Sequence, residues 1–177
     1  EIEEEIIEDV KKKILENAPT IYSITKRISE IDVLICFSSV SEENNYVMPE
    51  IDEGFEIFIK DGRHPVVEKG IDNFVPNDTY MNCSTDKFLI ITGPNMAGKS
   101  TYIRQVGLIV IMSQSGCFVP ATFAKIGIID KIFTRIGSQD EISKGQSTFM
   151  VEMTETAEII NNLTERSLII LDEIGRG

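Results

Sequence analysis

The chain has 177 residues, of which 42% are hydrophobic and 26% are charged, and its formal net charge is −12. These fractions are typical of a folded globular protein and exclude an intrinsically disordered one. No apolar run is long enough to predict a membrane span, and the acidic start is not expected to be a secretion signal.

The acidic balance argues against a dedicated DNA-gripping surface, because phosphate contacts need clustered lysine and arginine. The only basic run, Lys11–Lys13, lies beside acidic residues and is predicted to be a solvated helix face. Cys36, Cys83 and Cys117 are far apart and lack metal-ligand spacing, so free thiols are predicted.

Residues 1–46 are predicted to form a helical connector. Isoleucine recurs every seven residues, and a further apolar residue lies three residues after three of these isoleucines. This helical spacing indicates a one-sided stripe on a long helix or a bent helix pair. Pro19 predicts a break or kink near Asn17–Ala18. We prefer packing of this stripe against the next domain to a free coiled coil. The stripe comprises Ile7, Val10, Ile14, Ile21, Ile24, Ile28, Ile31 and Ile35.

Residues 47–177 are predicted to alternate strands and helices, which favours an α/β domain with a mainly parallel sheet. Phe55–Ile59 is predicted as a strand closed by a turn at Asp61–Gly62. A helical stripe of Phe149, Met153, Ala157 and Ile160 lies opposite Glu152, Glu155 and Glu158. The remaining elements are buried strands at Phe88–Ile91 and Leu168–Leu171, a buried helix at Lys99–Met112, and one or two strands within Ile126–Ile136.

A complete GxxxxGK[ST] motif follows the first apolar run and consists of Gly93, Pro94, Asn95, Met96, Ala97, Gly98, Lys99 and Ser100. Glycines let such a loop curl so that backbone N–H groups face a phosphate, and the following helix adds its positive dipole. Lys99 is predicted to reach the β- and γ-phosphates of a nucleotide, and the Ser100 hydroxyl to bind Mg²⁺.

Asp172 and Glu173 end the second apolar run. Two carboxylates at the carboxyl end of a buried strand lie where ligands bind in such folds. Asp172 is predicted to hold the Mg²⁺ shell, and Glu173 to orient or deprotonate an attacking water.

Gly145–Thr148 precedes the third predicted helix. Two interpretations of Ser147 stay open on the residues alone. Its hydroxyl caps its own helix, or the helix N-terminus faces a second phosphate.

These motifs and their neighbours resemble the MutS family of DNA mismatch-repair proteins. The resemblance covers nearly all of residues 55–177 and extends more loosely over the helical first third. Met96 and Tyr102–Gln105 are similar to the mismatch-repair branch, not to the recombination-suppressing paralogue. The similar segments are 62–68, 92–105, 118–121, 132–137, 147–156 and 172–177.

The resemblance implies an ABC-type P-loop ATPase that binds ATP or ADP with Mg²⁺. Glu173, Lys99 and Asn95 would be catalytic, with Asn95 near the γ-phosphate. Phe74 and Val75 would pack on adenine, and Ser147 would reach the nucleotide of the opposite subunit. His64 is expected to be structural. The nucleotide-binding set is Gly93–Thr101 with Phe74, Val75 and Ser147, and the metal ligands are Ser100 and Asp172.

The resemblance also implies that the parent protein forms a homodimer, binds a MutL-type partner, and binds mismatched duplex DNA through domains outside this chain. It further implies a cytoplasmic, nucleoid-associated location without membrane attachment. The family's mismatch-reading domain is missing, and the sequence stops inside the Gly-Arg-Gly-Thr continuation after Glu173. The chain is therefore expected to be a fragment, truncated within its ATPase core.

Two hypotheses follow for the function. The first is ATP hydrolysis that gates a DNA clamp, and the alternative is a structural or dimerisation module without turnover of its own. An ABC transporter or chromosome-maintenance ATPase shares the phosphate loop but does not account for Gly62–Pro65 or Ser147–Thr156.

Overall fold

The computed structural model describes residues 2–136 and 148–173. The chain divides into two compact units, Glu1–Glu43 and Asn44–Gly177. The first unit is helical, and the second combines helices with two sheets. The domain boundary expected after residue 46 stays a prediction.

Helix α1 spans Ile2–Glu43 without interruption and contains Pro19. The helix is therefore not broken near Asn17–Ala18, and the alternative of a kink there stays a prediction. A proline removes one backbone hydrogen bond from a helix, and here the helix continues on both sides of that loss. The isoleucines at seven-residue spacing lie on one face of α1, and each is 46–61% exposed.

The larger sheet has four strands in the order β1-β4-β2-β3. Strand β1 pairs in parallel with β4, whereas β2 pairs antiparallel with both β3 and β4. The strands are β1 (Glu50–Asp52), β2 (Ile57–Gly62), β3 (Asn77–Met81) and β4 (Phe123–Gly127).

The smaller sheet is a parallel pair formed by β5 (Lys131–Ile136) and β6 (Ser167–Asp172). Helix α3 (Thr148–Asn162) lies between these strands in the chain and packs against β5. The register sets Lys131 opposite Ser167 and Ile136 opposite Asp172. Both strands therefore end at the same edge of this sheet.

Helix α2 (Lys99–Gln114) supplies the centre of the core. It packs against β6 and shares one apolar cluster with β2, β4 and β6. Removing such side chains from water is the main stabilising contribution to the unit. Fully buried members include Ile59, Ile109, Val110 and Ile126.

The prediction of an α/β fold is confirmed, but a mainly parallel sheet is wrong for the larger sheet, which is mixed. The segment between β2 and β3 contains only a four-residue 3₁₀ helix, Val67–Gly70. A parallel crossover normally contains a full helix, and this link instead returns the chain antiparallel.

Phe88–Ile91 is not a strand, contrary to prediction, and Phe88 and Ile90 are about three-quarters exposed. Its apolar composition predicted burial, but a strand also needs a hydrogen-bonded neighbour. Among the described residues, β5 and β6 pair with each other and the other four strands form the larger sheet. Within the described part of the chain, no ladder therefore includes Phe88–Ile91.

The turn predicted at Asp61–Gly62 is also wrong, because both residues belong to β2. Asp61 has a φ of 49°, and the pairing with β3 shifts register between Ile59 and Gly62. The local irregularity that suggested a turn is accommodated inside the strand.

Helix α3 forms where its periodicity predicts, but its apolar stripe is exposed at Phe149, Met153 and Ile160. Glu152 and Ile159, which are seven residues apart and therefore share another face of the helix, are buried instead. The predicted helix after the glycine loop and the strands near Ile126–Ile136 and Leu168–Leu171 are confirmed.

Candidate functional site

The glycine-rich loop precedes α2 and has a backbone that few residues adopt. Gly93, Met96 and Gly98 have φ angles of 149°, 62° and 85°. Gly98 is the N-cap of α2 in the left-handed region, where a residue without Cβ is favoured. The loop therefore leads directly into a helix N-terminus, whose first N–H groups lack partners within the helix.

The Lys99 ammonium is held inside this loop. Its Nζ donates to the carbonyl oxygens of Gly93, at 2.9 Å, and Pro94, at 2.8 Å. An ammonium has three donors, so one remains for a ligand, and an anion would compete for the other two. The Lys99 ammonium, which the sequence predicted to contact phosphate, is therefore held beside the loop by two backbone carbonyls.

One face of the loop borders a cavity of about 630 Å³. The cavity also contacts Phe74 and Val75, so it brings the two predicted adenine-packing residues together with the predicted phosphate loop. The residues predicted to bind nucleotide that line this cavity are Phe74, Val75, Met96, Ala97, Gly98, Lys99 and Thr101. Gly93, Pro94, Asn95 and Ser100 belong to the same loop but are outside this lining.

Sequence reasoning missed several residues of the cavity wall, including Asn77, Tyr102 and Gln105. The Tyr102 hydroxyl is 3.0 Å from Thr79 Oγ1 and donates to the Asp78 carbonyl at 3.2 Å. This contact ties α2 to β3. Helical spacing from Lys99 offered a signal for Tyr102, which is three residues further along α2 and therefore near the same face.

Asp172 ends β6, and its side chain is 10% exposed. Its Oδ2 lies 3.6 Å from Arg104 Nη2, which is an ion pair between β6 and α2. Glu173 follows with a φ of 58° and is exposed. Neither acid is in the lining of the large cavity.

The position of Ser147 lies outside the described residues, so its two interpretations stay predictions. A second cavity of about 390 Å³ lies between β5 and α3. It is lined in part by Arg135 and Glu155, which form an ion pair at 2.6 Å, and it contains no predicted site residue.

His64 is buried, and its Nδ1 accepts from the backbone N–H groups of Val66 and Val67 at 3.3 Å. Burial lowers its pKa, and the nearby Arg104 charge adds to this effect. A neutral imidazole that organises the turn is therefore favoured. This geometry agrees with a structural role.

Arg63, the neighbour of His64, anchors the same turn. Its Nε donates to Glu68 at 2.6 Å, and its Nη2 donates to the Asn44 carbonyl at 3.1 Å. The Tyr46 hydroxyl also donates to Glu68, and burial is the largest cause that raises the pKa of Tyr46 to about 12. The turn is thus fixed by a buried polar cluster and positions the segment that precedes Phe74.

Among the described helices, none combines the length and apolar character that crossing a membrane needs.

Comparison with known proteins identifies the class of domain. Residues 89–177 match the family model of MutS domain V. This match covers the loop, α2, β6 with Asp172, and Glu173. The chain therefore belongs to the MutS family.

Three relatives carry the name DNA mismatch repair protein MutS. The one from Caldicellulosiruptor saccharolyticus is 56% identical over 179 residues, 100% of this chain and 21% of its own length. That from Acetivibrio thermocellus is 54% identical over the same shares. That from Methanosarcina mazei is 52% identical over 99% of this chain and 20% of its own length. The chain thus spans about one fifth of the relatives' length.

Proposed function

We propose that this chain supplies an ATP-binding and ATP-hydrolysing site that gates the DNA clamp of a mismatch-repair protein. One observation carries the proposal. A complete phosphate-loop sequence, Gly93–Ser100, stands at the N-terminus of α2, and its residues 96–99 border a cavity that also contacts Phe74 and Val75. Phosphate-binding and base-packing groups thus share one cavity.

The phosphates would lie against the loop. Helix N-termini favour anions through their free N–H groups and dipole, and Lys99 adds a full charge at the same place. Asn95 would contact the γ-phosphate region. Adenine would pack on Phe74 and Val75, which are apolar and line the same cavity.

The donor groups fit Mg²⁺. Among the described residues, no cluster of three or more His, Cys, Asp or Glu side chains could hold a metal alone. Mg²⁺ is commonly bound by one or two carboxylates together with phosphates and water, so a site made of Ser100 and Asp172 suits it. When bound, the ion would neutralise charge on the phosphates.

Glu173 would orient the attacking water and accept its proton, because it directly follows Asp172, the proposed metal ligand at the end of β6. Ser147 would act on the nucleotide of a second subunit in a homodimer. We further propose that the full-length protein binds mismatched DNA through regions outside this chain and binds a MutL-type partner. Its proposed location is cytoplasmic and nucleoid-associated.

Equilibrium titration of the full-length protein with a fluorescent ATP analogue tests the site. Lys99→Met should weaken binding by about 30-fold or more, because a charge-assisted contact to phosphate is lost. Lys131→Met is the control, since Lys131 contacts the Asn162 carbonyl outside the cavity and its loss should leave affinity unchanged. Equal affinities for wild type and Lys99→Met would reject the proposed site.

A further inference from the structure

Arg104 links the phosphate-loop helix to the end of β6. Its Nη2 lies 3.6 Å from Oδ2 of Asp172, and the two side chains are 46% and 10% exposed. Among the described residues, Arg104 is the cation that forms an ion pair with Asp172. A carboxylate so little exposed needs a compensating charge, because burial of an unpaired charge is costly.

The packing of α2 on β6 explains how these groups meet. A Cβ on Gly107 would lie 2.6 Å from Ile170 Cδ1, so Gly107 allows a close approach of this helix to this strand. Gly107 follows Arg104 along α2, whereas Ile170 precedes Asp172 along β6. The N-terminal part of α2 therefore lies toward the carboxyl end of β6.

Ser100 belongs to the same helix face as Arg104, because the two residues are one turn apart. The helix direction sets Ser100 still further toward the carboxyl end of β6. The two proposed metal ligands, Ser100 and Asp172, therefore lie at one end of this strand, with Arg104 beside them.

We propose that Arg104 is a positioning residue that holds Asp172 ready for Mg²⁺. This inference rests on the proposed nucleotide site. The separation of 3.6 Å exceeds a hydrogen-bond distance, so the pairing is electrostatic and leaves the carboxylate oxygens able to bind a metal or its water. Arg104 compensates the charge of Asp172 while no divalent ion is bound.

The positive charge of Arg104 also repels a metal ion, and this repulsion opposes its orienting effect on Asp172. Its guanidinium is nearly half exposed, and water screens its action at longer range. Asp172 is almost buried, so without Arg104 its carboxylate relieves the desolvation cost by turning toward water. Loss of orientation then outweighs loss of repulsion, and Arg104 variants bind Mg²⁺ more weakly.

The test compares the dissociation constant of a non-hydrolysable ATP analogue in EDTA and in Mg²⁺, using the full-length protein. The dissociation constant in EDTA divided by that in Mg²⁺ measures how strongly Mg²⁺ supports binding, and a larger ratio means stronger support. Arg104→Met should reduce this ratio by about tenfold and leave the constant in EDTA unchanged. A general folding defect would weaken binding in both conditions, so an equal loss in both contradicts the proposal.

Three further variants sharpen the result. Arg104→Lys keeps the charge and should retain a ratio within about threefold of wild type. Lys125→Met removes a lysine that pairs with Asp52 and Glu56 on the larger sheet, and it should leave the ratio unchanged. Adding Arg104→Met to Asp172→Asn should not lower the ratio further, because Asp172, through which Arg104 acts, is already changed.

The outcomes separate the two proposals. If Arg104→Met keeps or increases the wild-type ratio, the positioning role is wrong. If it lowers the ratio equally in the Asp172→Asn background, Arg104 acts elsewhere, which also contradicts the role. If wild-type protein does not bind the analogue, or gains nothing from Mg²⁺, the proposed nucleotide or metal site itself fails.

Discussion

Two glutamines on α2 differ in how their amides are satisfied. Gln105 is fully buried, and neither its Oε1 nor its Nε2 has a hydrogen-bond partner among the described residues. Gln114 instead donates to the Ile129 carbonyl at 2.8 Å and accepts from the Ile129 N–H at 2.6 Å. Gln114 is also exposed, so the two side chains differ both in burial and in hydrogen bonding.

Replacement of each glutamine by methionine should therefore change stability in opposite directions. Gln105→Met should raise the free energy of unfolding by about 1–2 kcal/mol, because an unsatisfied polar group is removed at similar volume. Gln114→Met should lower it by about 1 kcal/mol. Urea unfolding followed by circular dichroism measures both, and destabilisation by Gln105→Met would show that its amide is hydrogen-bonded in solution.

The structural role of His64 could be predicted from the sequence, whereas the burial of Gln105 could not. As the chain's one histidine, it invited a catalytic interpretation, but its turn context favoured a structural role. The two backbone N–H groups that bond to Nδ1 agree with that expectation. Gln105 had no such signal, because its burial depends on Gly62, whose added Cβ would lie 2.8 Å from the Gln105 amide nitrogen.

At the scale of elements, Arg166 connects the start of β6 to the turn between β1 and β2. It donates to the carbonyl oxygens of Glu53, Gly54 and Ile128 at 2.6, 2.8 and 3.2 Å. Its guanidinium also lies 4.2 Å from the centre of the Phe55 ring. One side chain thus joins segments of both sheets.

Arg166→Met should lower the free energy of unfolding by about 2 kcal/mol, because three carbonyls lose a charged donor and Phe55 loses a cation–π contact. Arg27→Met on the exposed α1 serves as the control and should change it by less than about 0.5 kcal/mol. Chemical denaturation of the two variants provides the comparison. Equal effects would mean that the Arg166 contacts contribute little.

Sequence patterns predicted which elements exist better than how they pair. The helix after the glycine loop and the strand before Asp172 follow from apolar periodicity and motif context. Strand direction in the larger sheet depends on long-range pairing of β2 with β4, which no local pattern encodes. Phe88–Ile91 failed as a strand because composition predicts burial but does not supply a hydrogen-bonding neighbour.

The structure brings some of the predicted site residues together, and their roles stay predictions. The cavity unites Phe74 and Val75 with the loop, which are separated in sequence and were joined only by the family resemblance. The Arg104–Asp172 pair was not predicted, because it depends on the antiparallel run of α2 along β6. Ser147 lies outside the described residues, so its role remains a prediction.

For the whole molecule, the net charge of −12 bears on DNA binding. Sequence readout requires a protein to approach the phosphate backbone, and an acidic surface opposes that approach. This chain should therefore show no preference for a mispaired duplex over a matched one. Gel-shift titration at constant salt measures both affinities, with the full-length protein as the positive control, and a clear mispair preference by this chain would contradict the expectation.

We propose that Asp172 and Glu173, at the end of β6, and the loop before α2 form a hydrolytic nucleotide site. Glu173→Gln in the full-length protein tests it most directly, with Glu165→Gln, just before β6, as the matched control. Single-turnover assays should show ATP affinity within about threefold of wild type and hydrolysis slower by about 10²–10⁴-fold for Glu173→Gln alone. Hydrolysis within a few-fold of wild type would contradict the assigned role of Glu173, and weakened binding would mean that this residue serves affinity, not chemistry.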